Sequence, residues 1–280
     1  MIKLEYALIL EGGGLRGNYT AGVLDAFLEK GLEFPFIIGV SAGAGMGCSF
    51  VSKQKERNLS ILKNYRNDPR YLSVRSFIKT GNYFGLDFIY NDIPNGLVPF
   101  DMKTFMDSPS RFVTVCTDCK TGKAVYFEKG PDILTIMKAS SAMPFVSRPV
   151  EYRGCTYLDG GISDSIPLGK AISEGYTKNI VVLTHPEGYR RRKELQFPAW
   201  LIYRKYPPLI KTMQNFVVQY NRSLCFAEEE AAAGRILLIR PSIDLGASRT
   251  EKNMDKLLRL YELGLTDGEA AAAKLTELSG

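Results

Sequence analysis

The order of apolar and polar positions divides the chain into short buried runs and longer amphipathic ones. Tyr6-Ala7-Leu8-Ile9-Leu10 is an apolar run of strand length that ends in Glu11-Gly12-Gly13-Gly14. Beyond that turn, Thr20, Val23, Leu24, Phe27 and Leu28 fall on one face of a helix. Phe34-Pro35-Phe36-Ile37-Ile38-Gly39-Val40 predicts the next buried strand. The small residues of Ala42-Gly43-Ala44-Gly45-Met46-Gly47 then allow a helix to pack closely on it. This β-α-β-α order implies a parallel pair of strands. Further strands are predicted at 112–116, 124–127, 180–183 and 236–239. Leu209, Ile210, Met213, Phe216, Val217 and Tyr220 share one helical face, and Met254, Leu257, Leu258, Tyr261 and Leu265 share another. Thr266-Asp267-Gly268-Glu269 has capping-box spacing and predicts a separate, alanine-rich final helix. Residues 53–110 carry the turn signals Asn67-Asp68-Pro69, Gly81-Asn82 and Pro94-Asn95-Gly96, and predict helices and loops over the active-site side. The whole pattern predicts an α/β fold, a mostly parallel central sheet with helices on both faces.

Composition changes this picture little. A chain of 280 residues with 45% hydrophobic content can bury one large core. The expectation is a single domain over 1–280, with its motifs in about 5–185 and a helical and strand completion in 186–280. No apolar run approaches the roughly 18 residues of a membrane span. Met1-Ile2-Lys3-Leu4-Glu5 lacks the apolar stretch of a signal peptide, so a cytoplasmic location is expected. Five cysteines without framework spacing read as reduced thiols. Cys116 and Cys119 form a lone CxxC with no second pair or suitably spaced histidine, which favours buried strand-end thiols over a zinc or redox site.

The formal charge of +6 is unevenly spread. Arg190-Arg191-Arg192-Lys193 leads into a stretch with Phe197, Trp200, Leu201 and Tyr203, a mixture suited to an anionic membrane surface through residues 190–212. A surface loop over a half-buried aromatic cluster fits the same residues. Nucleic acid is not expected as a partner, because the basic run is short and no recognised module accompanies it.

The chemistry concentrates in two turns. Gly39-Val40-Ser41-Ala42-Gly43 reads G-x-S-x-G, the spacing at which a strand turns sharply into a helix and projects a serine hydroxyl. The turn Gly12-Gly13-Gly14 offers backbone N–H groups that can approach an oxyanion closely. The two together point to acyl transfer. The chain has one histidine, His185, which limits the choice of proton acceptor. Asp159, in Tyr157-Leu158-Asp159-Gly160-Gly161, ends an apolar run beside glycines and is the best carboxylate candidate. With a reference pKa of about 3.9 it is a weak base and needs close positioning and an oxyanion hole.

In these motifs and their order the chain resembles the patatin-like phospholipase family, which carries a glycine-rich oxyanion loop, a G-x-S-x-G turn and a D-G-G or D-G-A motif. The resemblance covers roughly residues 5–185, and also takes in Lys138-Ala139-Ser140-Ser141-Ala142-Met143-Pro144-Phe145 and Asp164-Ser165-Ile166-Pro167-Leu168. It implies Ser41 as nucleophile, Asp159 as proton acceptor and Gly12, Gly13 and Gly14 as oxyanion donors. Arg16, Gly17, Gly39, Gly43, Gly160 and Gly161 support these motifs. The implied activity is hydrolysis of lipid acyl esters through an acyl-serine, with no metal and no cofactor. Arg16 has two tasks open to it, binding a substrate phosphate or pairing with a carboxylate to hold the loop.

Three other readings compete. Ser41, Asp159 and His185 follow the chain order of an α/β-hydrolase triad. Gly12-x-Gly14-x-x-Gly17 fits a dinucleotide-binding turn, but the position where the expected acidic residue would fall holds the serine turn. A non-catalytic lipid- or partner-binding scaffold would keep the fold without the chemistry.

Overall fold

A computed structural model describes residues 2–192 and 198–277. The first half holds β1 (Ile2–Lys3), β2 (Ala7–Leu10), α1 (Gly17–Glu29), β3 (Leu32–Glu33), β4 (Phe36–Val40) and α2 (Ala42–Val51). α3 (Arg57–Tyr65), α4 (Val74–Thr80), a wide π-type helix (Phe88–Leu97) and α5 (Met102–Asp107) follow. Next come β5 (Arg111–Asp118), β6 (Ala124–Glu128), α6 (Ile133–Ser140), β7 (Val150–Tyr152), β8 (Cys155–Asp159), α7 (Leu168–Ser173) and β9 (Asn179–Val182). α8 (Ala199–Ile202), α9 (Pro207–Ala232), β10 (Ile236–Ile239) and α10 (Met254–Glu277) complete the described chain.

Among the described residues eight strands form one sheet in the order β10-β9-β2-β4-β5-β8-β7, with β6 also on β5. β10, β9, β2, β4 and β5 are mutually parallel, and β6, β7 and β8 enter as antiparallel strands. The fold is thus α/β with a mostly parallel sheet, as the pattern predicts. Alternate residues of the buried strands face opposite ways, because strand side chains have a period of two. Leu8, Leu10, Ile37, Phe112 and Val182 pack with Tyr19, Phe27, Met137 and Leu257 on one face. Ile9, Ile38, Val113 and Val181 pack with Leu168, Tyr220 and Leu224 on the other.

One expectation fails at the C-terminus. α10 runs without a break through Thr266, whose hydroxyl donates back to the Glu262 carbonyl, and no new helix starts at the capping-box sequence. The reason is the crossing of α1 and α10. A side chain at Gly264 would come within 2.0 Å of the Tyr19 carbonyl, and one at Gly22 within 2.1 Å of the Tyr261 carbonyl. Backbone meets backbone there, and Asp267 is drawn into the contact by accepting from the Tyr19 hydroxyl at 3.0 Å. Gly268 and Asp267 therefore serve tertiary packing.

The sheet register explains how distant residues meet. β5 gives one edge to β6 along Val113–Thr117, so β4 and β8 share the other edge. β4 ends with Val40 opposite Val115, and β8, running the opposite way, ends with Asp159 opposite Cys116. The strand ends bearing Ser41 and Asp159 thus converge at adjacent positions of β5.

Candidate active site

Ser41 sits between the end of β4 and the start of α2 with φ +53° and ψ −124°. This conformation is sparsely populated for a residue with a side chain and costs on the order of 1–3 kcal/mol. Two features hold it. The Ser41 N–H donates to the Ser140 hydroxyl oxygen at 2.9 Å, and that hydroxyl donates to the Val115 carbonyl at 2.6 Å. A side chain at Gly43 would strike the Glu11 carbonyl at 2.5 Å, so the turn can lie flat against the glycine loop only with glycine there. Gly39 packs just as closely on the backbone of Ala44.

The Ser41 side chain lies against the Asp159 carboxylate, which accepts the Gly161 N–H at 2.8 Å. Both residues are buried, Ser41 at 8% exposure and Asp159 at 6%. Burial pushes the Asp159 carboxyl up to about 6, against the opposing pull of the Ser41 and Gly161 hydrogen bonds and the Arg249 charge. The Asp159 backbone is pinned as well: its N–H donates to the Ala142 carbonyl at 2.9 Å, and its carbonyl accepts from the Thr117 hydroxyl at 2.8 Å. Gly160 presses on the Val115 carbonyl, where a Cβ would be 2.2 Å away.

The glycine loop lies against the serine. A Cβ at Gly12 would be 3.1 Å from the Ser41 Cβ, and one at Gly13 would be 2.8 Å from the Thr184 hydroxyl oxygen. Gly14 has φ +56° and rests on the Arg249 carbonyl, which accepts the Leu15 N–H at 2.9 Å. Among the described residues, the N–H groups of Gly12, Gly13 and Gly14 have no backbone acceptor in this loop. Gly17 abuts Ala42 and so ties the loop to α2. Arg16 is turned inward at 6% exposure.

Beside Ser41 lies a cavity of about 120 Å3. Its wall is mainly apolar, with Leu15, Met46, Leu62, Phe84, Leu86, Ile89, Phe100, Met137 and Met143 among its residues. Much of this wall comes from residues 53–110, where the turn signals predict helices and loops over the active-site side. Tyr90, on the π-type helix, reaches in to share a hydrogen bond of 2.7 Å with the Ser141 hydroxyl. No sequence feature marked Tyr90 or the task of Ser140, since each acts through a contact with a remote element.

His185 does not join this group. Its ring stacks on Tyr189 at 3.5 Å, it hydrogen-bonds neither Ser41 nor Asp159, and its Nε2 has no partner among the described residues. Burial, then the charges of Arg16, Arg191 and Arg249, push its pKa down to about 3. Cys116 and Cys119 are buried free thiols.

The basic aromatic stretch is only partly surface. Arg191 is buried, with its guanidinium over the Phe216 and Tyr220 rings at 4.7 and 4.5 Å. Tyr203 is buried too, and its hydroxyl accepts the Phe145 N–H at 3.0 Å. These two turn inward because a planar cation and a phenol can each satisfy a polar tip while burying an apolar body. Trp200, Leu201 and Ile202 are exposed, Trp200 at 64%. Lys193 and Phe197 lie outside the described residues. α4 contributes further exposed apolar side chains, Val74, Phe77 and Ile78. The 143–148 segment joins the two patches, since Phe145 packs on Tyr203 and the Arg148 N–H donates to Asn82 just beyond α4. Among the described residues, no helix is long and apolar enough to cross a membrane.

A buried serine on a strained strand-to-helix turn, a buried carboxylate beside it and an adjacent apolar cavity make up the candidate active site. Residues 8–172 match the model of the patatin-like phospholipase family, and the chain belongs to that family of hydrolases. Residues 206–279 match the model of a domain of unknown function. The chain is 29% identical to the uncharacterized protein YjjU of Escherichia coli (strain K12), over 97% of this chain and 78% of that protein. It is 26% identical to the probable lipid hydrolase 463L of Invertebrate iridescent virus 6, over 63% of this chain and 67% of that one. It is 24% identical to the lysophospholipase NTE1 of Lodderomyces elongisporus, over 92% of this chain but 18% of that much longer protein.

Proposed function

We propose that this protein hydrolyses acyl esters of lipids, as a phospholipase A or lysophospholipase, through a Ser41–Asp159 dyad. The observation that carries this reading is the meeting of Ser41, which lines an apolar cavity, with the buried Asp159 carboxylate. Asp159 takes the Ser41 proton as Ser41 Oγ attacks the ester carbonyl. A carboxyl raised toward 6 is a better base than an ordinary aspartate, because its basicity lies closer to working pH. The N–H groups of Gly12, Gly13 and Gly14 receive the developing oxyanion, helped by the N-terminal end of α2. Collapse of the tetrahedral adduct expels the alcohol or lysolipid, which takes the proton from Asp159. Water then attacks the acyl-serine with Asp159 again as base, releasing the fatty acid and restoring Ser41. The acyl chain occupies the cavity lined by Leu62, Phe84, Ile89 and Met137.

The exposed apolar residues of α8 and α4, interspersed with exposed Arg75, Lys79, Arg204 and Lys205, support peripheral contact with an anionic lipid surface. The chain is read as one folding unit, because β10 extends the sheet that carries Ser41 and α10 packs on α1.

The test is fatty-acid release from mixed anionic phospholipid vesicles by the wild type and by Ser41→Ala, with a short-chain ester as soluble control. Release by the wild type alone is expected. Equal release by both would remove Ser41 as nucleophile.

A further inference from the structure

The cavity beside Ser41 is apolar over most of its wall but not at its far end. Arg57 and Asn58, at the start of α3, line it together with Phe100, whose ring centre lies 5.4 Å from the Arg57 guanidinium carbon. The position of this end follows from α2, the helix that leads away from Ser41. Arg57 Nη1 meets the Ser49 hydroxyl at 3.4 Å, and Ser49 lies eight residues beyond Ser41, about 12 Å along a helix that rises about 1.5 Å per residue. Gly45, Met46 and Cys48 of the same helix line the stretch between.

A guanidinium at the end of an apolar cavity is an expensive wall residue unless it has an anion to meet. That of Arg57 is half-buried and has only neutral acceptors. Nη2 donates to the Val98 carbonyl at 2.9 Å, while Nε to the Pro99 carbonyl and Nη1 to the Ser49 hydroxyl are both long, at 3.4 Å. Among the described residues no carboxylate pairs with it. Burial pushes its pKa down to about 10, and only the Cys48 thiol pulls the other way. The three bonds use part of its N–H array and leave the rest to a ligand. Asn58 adds a donor: its Oδ1 accepts the Ser49 hydroxyl at 3.0 Å, so Nδ2 remains to donate. A hydrocarbon tip packed against this end would strip water from the guanidinium and return no hydrogen bond. A carboxylate would form a charge-assisted pair with the planar fork and supply a counter-ion.

We propose that the cavity selects ester substrates whose acyl chain has about eight to ten carbons and ends in a carboxylate, which Arg57 and Asn58 bind while the ester lies at Ser41. The length is set by the separation of about 12 Å, the span of an extended chain of that size. A cavity of about 120 Å3 is small, in keeping with a chain that ends inside it. Acyl chains cut at a double bond by oxidation belong to this class. The substrate class rests on the hydrolase reading and narrows it to one kind of acyl group.

Two soluble esters make the test: the mono-p-nitrophenyl ester of nonanedioic acid and p-nitrophenyl nonanoate, which differ only in the group at the far end of the chain. At a pH that ionises the free carboxyl, wild-type kcat/KM for the first should exceed that for the second by about 10-fold, the worth of one hydrogen bond to a charged group. Arg57→Met, which keeps the length and loses the charge, should abolish the preference, and Arg57→Lys should keep part of it. The ratio is read within each protein, so a variant with a smaller folded fraction still reports it. Calorimetry on Ser41→Ala gives a second reading without turnover. The monomethyl ester of nonanedioic acid should bind about 10-fold more tightly than methyl nonanoate. A wild type that hydrolyses both p-nitrophenyl esters equally, or prefers the nonanoate, overturns the inference and leaves the hydrolase standing. An undiminished preference in Arg57→Met overturns it as well. Hydrolysis of neither ester counts against the hydrolase instead; tighter binding of the monomethyl ester would then still uphold a carboxylate-binding end to the cavity, and equal binding would overturn it.

Discussion

The Ser140 hydroxyl accepts the N–H of Ser41, and with its own donation to Val115 it bridges the Ser41 turn to the central strand β5. Ser41 occupies a strained backbone conformation, so its geometry depends on what grips it from outside the turn. Replacing Ser140 with alanine leaves the Ser41 N–H without its acceptor. The expected cost is about 1–3 kcal/mol of stability, seen as a lower melting temperature. A drop in kcat larger than the change in KM would accompany it, because the nucleophile is displaced more than the substrate pocket. An unchanged kcat would mean that the turn holds its shape unaided.

The dyad makes the sharpest catalytic prediction. Ser41→Ala should lose activity by on the order of 10^3-fold or more. Asp159→Asn should fall similarly, while His185→Ala should keep most of its activity, because His185 bonds neither member of the pair. Soluble-ester kinetics on the three variants decide this. A His185→Ala enzyme as dead as Ser41→Ala would restore the triad.

The raised carboxyl of Asp159 predicts a pH dependence of both activity and stability. As a base Asp159 must be ionised, so kcat/KM should fall about tenfold per pH unit below pH 6. For stability the sign is opposite. The folded pKa of about 6 lies above the ordinary value of 3.8, so the folded state holds the proton more tightly than the unfolded chain does. Its stabilising contribution is complete below about pH 4 and is lost as pH rises through 6. The ionised carboxylate therefore costs the folded protein about 2–3 kcal/mol at pH 8. Asp159→Asn should be inactive yet melt higher than the wild type at pH 8, with the gap closing near pH 4. Melting curves of both proteins across that range are the check.

The crossing of α1 and α10 has no room for a side chain at Gly264. Gly264→Val should destabilise by more than the 1–3 kcal/mol typical of overpacking, because the obstacle is the Tyr19 carbonyl and not a movable side chain. A chain cut after residue 205 removes α9, β10 and α10 together and uncovers both β9 and α1. It should show no cooperative melting transition, and a well-folded, soluble fragment would refute the single folding unit.

The surface patches predict an interfacial effect. Exchanging Trp200 and Ile78 for serine removes two exposed apolar groups from α8 and α4. Vesicle co-sedimentation and release from vesicles should both fall several-fold, with a smaller effect on a soluble ester. Undiminished vesicle binding would assign those residues to another contact.

Periodicity in the chain determined the elements and their type. The strand–glycine turn–helix units around Gly12–Gly14 and Ser41 are legible because a buried parallel strand must be apolar on both faces and the helix after it on one. The order of the three motifs, through the family resemblance, then pointed to Ser41 and Asp159 as a candidate pair. What periodicity cannot report is which strand end meets which, since it records the face a residue takes and not its neighbour. That Ser41 and Asp159 touch was decided by β4 and β8 sharing one edge of β5. The same limit explains the misread final helix, whose Asp267-Gly268 looks like a start until α1 is laid across it. It also explains Arg191 and Tyr203, because amphipathic side chains can face lipid, water or core with equal local propriety. Only the tertiary packing of Phe216, Tyr220 and Phe145 around them turned both inward.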